Sequence, residues 1–272
     1  MRWALLVEYA GQGFLGWQMQ AEGRTVQAVL EAAVSVLAAQ PVRLHCAGRT
    51  DGGVHALAQV VHFDAEAERP PYAWVRGVNA HLPEDVAVRA AWPVSEAFHA
   101  RYRAVSRHYR YVLYNAPVRP AALAGRVGWE ARPLALEPMR EAATSLLGTH
   151  DFSAFRTAQC QARSPVKTLH RLEIERRGPF LHFDFHADAF LHHMVRNLVG
   201  ALVYVGKGRF PPEWVGEVLE RRERALAAPT FPAAGLYFCG VEYPPGLGVP
   251  ERIVRRPEFG LDEEVDVPKS DP

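Results

Sequence analysis

The sequence is short of everything that staples a chain covalently or anchors it in lipid. Of its 272 residues only three are cysteine: Cys46, Cys160 and Cys239. They are odd in number, far apart and form no C-x-x-C pair, so neither a disulfide framework nor a cysteine zinc site is expected. A reducing cytoplasm is the expected compartment. No run of about 18 apolar residues occurs, so no segment is expected to span a bilayer and no membrane partner is expected. The apolar part of residues 1–9 is too short for a signal peptide and lacks a cleavage-like ending. No G-x-S-x-G elbow and no H-E-x-x-H pair is present, which removes the hydrolase and zincin readings. The glycine-rich loop 11–17 has no Gly-Lys-Ser/Thr ending and is not read as a nucleotide cradle. Net charge is scarce too, only +1.

What is present is an ordinary soluble composition, 49% hydrophobic and 22% charged, long enough for one large domain or two small ones. The small net charge hides an asymmetry. Residues 99–209 hold seventeen Lys or Arg against eight Asp or Glu, and eight of the twelve histidines. Such a segment points to nucleic acid if the charges cluster in space, and to nothing if they scatter.

Hydrophobic periodicity predicts an α+β fold. Strands are expected over 2–9, 42–46, 57–63 and 86–92, with helices over 26–39, capped by Thr25, and 72–80. That order, β-α-β-β-α-β, is a ferredoxin-like split unit spanning 1–104. A second such unit is expected over 105–244. It has strands over 107–114, 166–176, 180–186 and 236–243, and helices over 136–147, 190–205 and 212–226. The two antiparallel sheets are expected to join around a central catalytic cleft. Residues 245–272 read as an acidic, proline-containing tail with partial order at best.

Three places could carry chemistry. The first is Cys46-Ala47-Gly48-Arg49-Thr50-Asp51-Gly52-Gly53-Val54-His55-Ala56, between two strand-like runs. Gly48, Gly52 and Gly53 are expected to allow backbone angles closed to other residues, turning the loop sharply around Asp51. Such a loop holds a catalytic carboxylate, or is a plain hairpin turn whose Asp51 bonds its own backbone. The second is Arg196, inside an otherwise apolar helix. A buried guanidinium needs a carboxylate, either Asp184 or Asp188 nearby or Asp51 in the other half. The third is the strand 107–114. There Tyr109 and Tyr111 share one face, suited to stacking on bases or to ordinary core packing. His192-His193 looks like a metal pair, but adjacent helix positions face different ways, so no metal site is expected.

Taken together, Gly48-Arg49-Thr50-Asp51-Gly52-Gly53-Val54-His55 followed by Gln59-Val60-Val61-His62-Phe63 resembles the signature of the tRNA pseudouridine synthase A family. Asn79-Ala80-His81-Leu82-Pro83, Phe98-His99-Ala100-Arg101, Tyr109-Arg110-Tyr111 and Gly148-Thr149-His150-Asp151-Phe152 are similar to its later blocks. So are Phe190-Leu191-His192-His193-Met194-Val195-Arg196-Asn197 and Gly235-Leu236-Tyr237. Gly52 departs from the family, which more often has alanine there.

The resemblance implies the pseudouridine synthase fold. It also implies isomerisation of uridine at positions 38, 39 and 40 of the tRNA anticodon stem-loop, without a cofactor, by a homodimer. It makes Asp51 the nucleophile, gives Tyr109 packing on the target base and a candidate role in deprotonating C5, and pairs Arg196 with Asp51, so that Asp51, Tyr109 and Arg196 are the expected catalytic residues. Arg49, Tyr109, Tyr111 and His193 become substrate contacts, with Arg49 filling the space left by the extruded nucleotide. Two other classes stay open. One is a non-catalytic RNA-binding protein of two ferredoxin-like units, although the RNP1 pattern is missing. The other is a small-molecule lyase or mutase using one Asp–Arg pair, for which the basic segment would have no purpose.

Overall fold

A computed structural model describes residues 1–260. Its centre is one large mixed sheet, in the order β4-β1-β3-β10-β5-β9-β8-β7, with β2 on β3, β6 on β5 and β11 on β10. The first part of the chain supplies β1 (Arg2–Tyr9), α1 (Val26–Ala38), β2 (His45–Cys46), β3 (His55–Asp64), α2 (Pro71–Asn79) and β4 (Val86–Val94). The second supplies β5 (Ser106–Asn115), β6 (Gly128–Glu130), α3 (Leu136–Thr144), β7 (Gly148–Asp151), β8 (Val166–Arg177) and β9 (Phe180–Ala187). It continues with α4 (Met194–Gly206), α5 (Trp214–Arg221), β10 (Leu236–Glu242) and β11 (Arg252–Val254).

The two parts meet at β10. It pairs antiparallel with β5 on one side and parallel with β3 on the other, at Tyr237↔His55 and Phe238↔Ala56 only. A bulge in β3 matters here. Val7 pairs with Gln59 but Tyr9 pairs with Ala56, so one extra residue lies between and the strand changes which residues face forward. Phe63, Val61, Gln59 and Ala56 therefore share a face with Phe238, Tyr109, Tyr111 and Phe183.

All five α-helices of the described residues lie on that side. Leu30, Val34 and Trp74 pack with Trp3, Leu5 and Phe63 in one core. Met139, Leu198, Leu202 and Val215 pack with Tyr111, Phe183 and Phe185 in another. Tyr109 touches both cores, which puts it at the gap between the helical layers. The opposite face carries His108, Arg110, His182, Asp184 and His186, and the end of the described chain is strapped over part of it. Pro257 accepts from Arg110, Arg256 lies beside Asp184, and Phe259 stacks on Phe180.

Several expectations need correction. The last helix of the basic segment starts at Met194, not near 190, because His193 has a left-handed backbone (φ 63°) that helix cannot continue through. The helix expected over 212–226 is the eight residues of α5. Strands β6, β7 and β11 were not expected. They are three or four residues long, too short for an alternation signal. The segment after residue 244 is more ordered than expected, since β11 pairs with β10 and buries Ile253. The rest of the expected tail, 261–272, lies outside the described residues. Gly11, Gly13 and Gly16 have the spacing of a dinucleotide fingerprint, but no helix opens behind them. Gly16 instead forms a bridge with Asp51, and a side chain at Gly16 would press on the Thr50 carbonyl at 2.8 Å.

Candidate active site

Residues 46–55 form a braced loop at the seam. Trp17 N–H donates to Thr50 O (2.9 Å), Gly53 N–H donates to Phe14 O (3.3 Å), and Tyr9 and Thr50 join their hydroxyls at 2.7 Å. Gln59, fully buried, donates to Gly48 O (2.5 Å) and accepts from Gly48 N–H (3.3 Å). Of the three glycines expected to need unusual angles, only Gly53 has a positive φ, 80°. Gly48 is glycine because a Cβ would meet the Phe238 ring at 2.9 Å. At Gly52 a Cβ would find only ordinary contacts of 3.4–3.5 Å, so the alanine typical of the resembled family fits there.

This bracing holds Asp51 out towards the first turn of α4. Arg196 Nη1 donates to Asp51 Oδ2 at 3.3 Å, and Arg196 Nε donates to Phe231 O at 2.8 Å. The within-half alternatives for Arg196 are taken. Asp184 is held by Arg110 through two bonds of 2.9 and 2.7 Å, and Asp188 accepts the backbone N–H of Thr168 and Ala189. The pair therefore joins the two parts of the chain.

Both histidines of the doublet also reach Asp51. His192 Nε2 lies 3.1 Å from Oδ1 and His193 Nε2 lies 3.3 Å from Oδ2. The expectation that they diverge fails because neither is inside the helix. His193 is the left-handed residue before it, and His192 sits in the preceding turn with Nδ1 3.1 Å from Thr157 Oγ1. Burial lowers the pKa of His193, against the pull of Asp51, so its neutral form is favoured. Three potential ligand atoms lie within 4.8 Å of one another at Asp51, His192 and His193. A divalent cation there would meet the Arg196 charge, which already occupies Oδ2, at close range.

Tyr109 stands on β5 beside this group, edge-on to Phe190 (5.0 Å) and Phe238 (5.1 Å). Burial pushes its hydroxyl pKa up, and the nearby Tyr9 and Asp51 add to the shift. The residue as a whole is half-buried, unlike its sealed neighbour Tyr111. Tyr111 shares that face, as alternation requires, but is 0% exposed and donates to Pro232 O at 2.9 Å. It has no surface with which to touch a substrate, and its expected place among the substrate contacts is corrected to support beneath the site. Arg49 is exposed at the loop tip, two residues from Asp51. The residues not anticipated are His192, Gln59 and Arg107. Arg107 donates to Ala47 O, Arg101 O and Asp188 O. Gln59 carried a signal, a polar residue inside an apolar strand. His192 carried one in the His192-His193 doublet, which reads from sequence only as a metal pair to be set aside, and Arg107 carried none.

A carboxylate braced from behind and met from one side by a guanidinium is an arrangement that suits an acid side chain in nucleophilic chemistry. Comparison with known proteins gives the particular kind. A family model described as tRNA pseudouridine synthase matches residues 5–103 and 142–244. The chain is 63% identical over 250 residues to the tRNA pseudouridine synthase A of Aromatoleum aromaticum, covering 92% of this chain and 95% of that one. It is 60% identical over 251 residues to the one of Dechloromonas aromatica, covering 92% and 96%. This chain belongs to the tRNA pseudouridine synthase family.

Proposed function

We propose that this chain isomerises uridine to pseudouridine in tRNA, at positions 38, 39 and 40 of the anticodon stem-loop, with Asp51 as nucleophile. The observation that carries the reading is the Asp51–Arg196 pair across the seam (3.3 Å), beside the half-buried Tyr109. In the reaction the bond from uracil N1 to ribose C1′ breaks and a bond from C5 to C1′ forms. The hydrogen on C5 leaves as a proton and N1 takes one up, so the nucleotide is isomerised with no net change in atoms or oxidation state. Asp51 attacks ribose C1′ or uracil C6, and the Arg196 guanidinium at 3.3 Å keeps it aimed. Tyr109 packs its ring on the base. Its raised pKa makes a phenolate unfavourable in the resting site. His193 and His192 orient the carboxylate, and Arg49 enters the stack where the target nucleotide leaves it.

The finer architecture belongs to the same proposal. The order β1-α1-β2-β3-α2-β4 supports a ferredoxin-like unit over 1–104, and the elements of 105–244 support a second, joined to it through β10. We infer a cytoplasmic homodimer from the family resemblance.

The test is tritium release from tRNA labelled at uridine C5. Forming the carbon–carbon glycosidic bond must expel that label. The wild-type chain is expected to release it and Asp51→Asn is not. A protein that binds tRNA tightly but releases none is a binding protein, and the proposal is then wrong.

A further inference from the structure

The far end of α4 has a feature that the reaction does not use. A cavity of about 550 Å³ is lined there by Arg132, Tyr204, Lys207 and Arg209. Lys207 is neutralised, with Nζ 2.5 Å from Glu130 Oε2. Arg132 and Arg209 have no carboxylate partner among the described residues. The Arg209 side chain and the Arg132 backbone are both held in place. The Arg209 guanidinium lies 4.6 Å from the centre of the Tyr204 ring, and Tyr204 belongs to an aromatic group in which Phe210 and Trp214 stack at 4.2 Å. Arg132 is pinned at both backbone ends, its N–H donating to Glu130 and its carbonyl accepting from Asn115.

Position adds a second argument. Lys207 follows Arg196 by eleven residues, about three turns, so the two lie on the same side of α4 roughly 16 Å apart. Complementing the negative end of the helix dipole would need only one cation. It does not account for Arg132, which comes from the chain after β6.

We propose that this cavity holds a backbone phosphate of the bound RNA, remote from the target nucleotide. The inference rests on the reading of tRNA as substrate. Planar guanidinium groups with free N–H edges, that of Arg209 lying over a ring face, suit a phosphodiester. The separation from Asp51 means that only an RNA much longer than the target nucleotide reaches both places.

The experiment measures tRNA binding by filter retention across a salt series, with wild type and the double variant Arg132→Gln/Arg209→Gln. The variant is expected to weaken binding on the order of ten-fold and to flatten the log–log salt slope by about one to two. Its kcat at saturating tRNA should hold while KM rises, and Arg209→Lys should keep most of the slope. Equal slopes and affinities in wild type and double variant overturn the proposal. So does a lower melting temperature with an unchanged slope, which would make the arginines structural. Saturable inorganic phosphate binding that the double variant loses while the RNA slope stays would make the cavity a free-anion site, and overturns it too. A wild-type chain that releases no tritium from tRNA defeats the functional reading instead, and is seen before any variant is made.

Discussion

Two Asp–Arg pairs stand on opposite faces of the same sheet, and they are built in opposite ways. On the back face Arg110 grips Asp184 with two bonds of 2.9 and 2.7 Å, and the side chains are 4% and 14% exposed. Arg256 adds a second charge and Pro257 O fills another Arg110 donor. On the helical face Arg196 gives Asp51 a single bond of 3.3 Å, with 15% and 22% exposure, and spends its Nε on Phe231 O. Both oxygens of Asp184 are committed to guanidinium groups. Those of Asp51 have longer, looser partners, two of them imidazoles that can turn away. The back-face geometry suits a pair that closes the fold. The front-face geometry suits a carboxylate that must exchange one partner for a substrate atom, at some cost in stability.

The largest expected effect separates the pairs by activity. Asp51→Asn should lower turnover by more than about a thousand-fold, with tRNA affinity within a few-fold and the melting temperature close to wild type. Residual turnover above that level in a single-turnover tritium assay would move the nucleophile elsewhere. The mirror experiment is Asp184→Asn. It leaves the buried Arg110 with only the more distant Glu258, at 3.5 Å, and should cost about 1–3 kcal/mol of unfolding free energy, with kcat nearly unchanged where the variant is folded. Denaturant melts of both variants give the contrast directly. If Asp184→Asn abolishes turnover without destabilising, the division of labour proposed for the two pairs is wrong.

A smaller effect probes the front pair alone. Arg196→Met leaves Asp51 facing a half-buried site without its cation. It should lower turnover severely and also destabilise the fold. Adding Asp51→Asn should restore part of the stability and none of the activity. The coupling in a double-mutant cycle is expected at about 0.5–3 kcal/mol. Additive effects would mean that the 3.3 Å contact carries no energy, and the seam would lose its main electrostatic tie.

Much of this was legible in the residues. The long strands and α1 show their periods plainly, and Thr25 does cap α1 by accepting from Ala28 N–H. The Asp51 loop was readable because glycines frame a lone carboxylate. The cross-half pairing was one of two open choices for Arg196, and it is decided by the engagement of Asp184 with Arg110 and of Asp188 with the backbone of Thr168 and Ala189. The convergence of His192 and His193 was not legible, because it depends on one left-handed residue that sequence periodicity reads as helix. The burial of Tyr111 was also hidden. Alternation gives a side chain its face but not its depth. That depth comes from Gly128 and Gly235, where a Cβ would press on the Tyr111 ring at 2.7 Å or closer.

The smallest expected effect concerns acid, and it returns to the back face. Burial lowers His108 and His182 to about 4 and His62, on the same face, to about 3. Their unfolded value is 6.5. Between these values the unfolded chain binds more protons than the folded one, so stability is full above about pH 6.5 and falls as the pH drops towards 4. His182 offers the cleanest probe, since neither ring nitrogen has a hydrogen-bond partner among the described residues and the side chain is fully buried. His182→Leu should therefore leave stability at pH 7.5 within about 1 kcal/mol of wild type. Below pH 6.5 its loss of stability should be shallower by up to about 1.4 kcal/mol per pH unit, the contribution of one proton. Urea melts at half-unit steps from pH 7.5 to 4.5 measure this. The same series on His193→Asn tests the other face, where a single histidine with a lowered pKa touches Asp51. A larger flattening there than in His182→Leu would place the acid-sensitive part of the molecule at the active site, and the back face would lose its standing as the structural one.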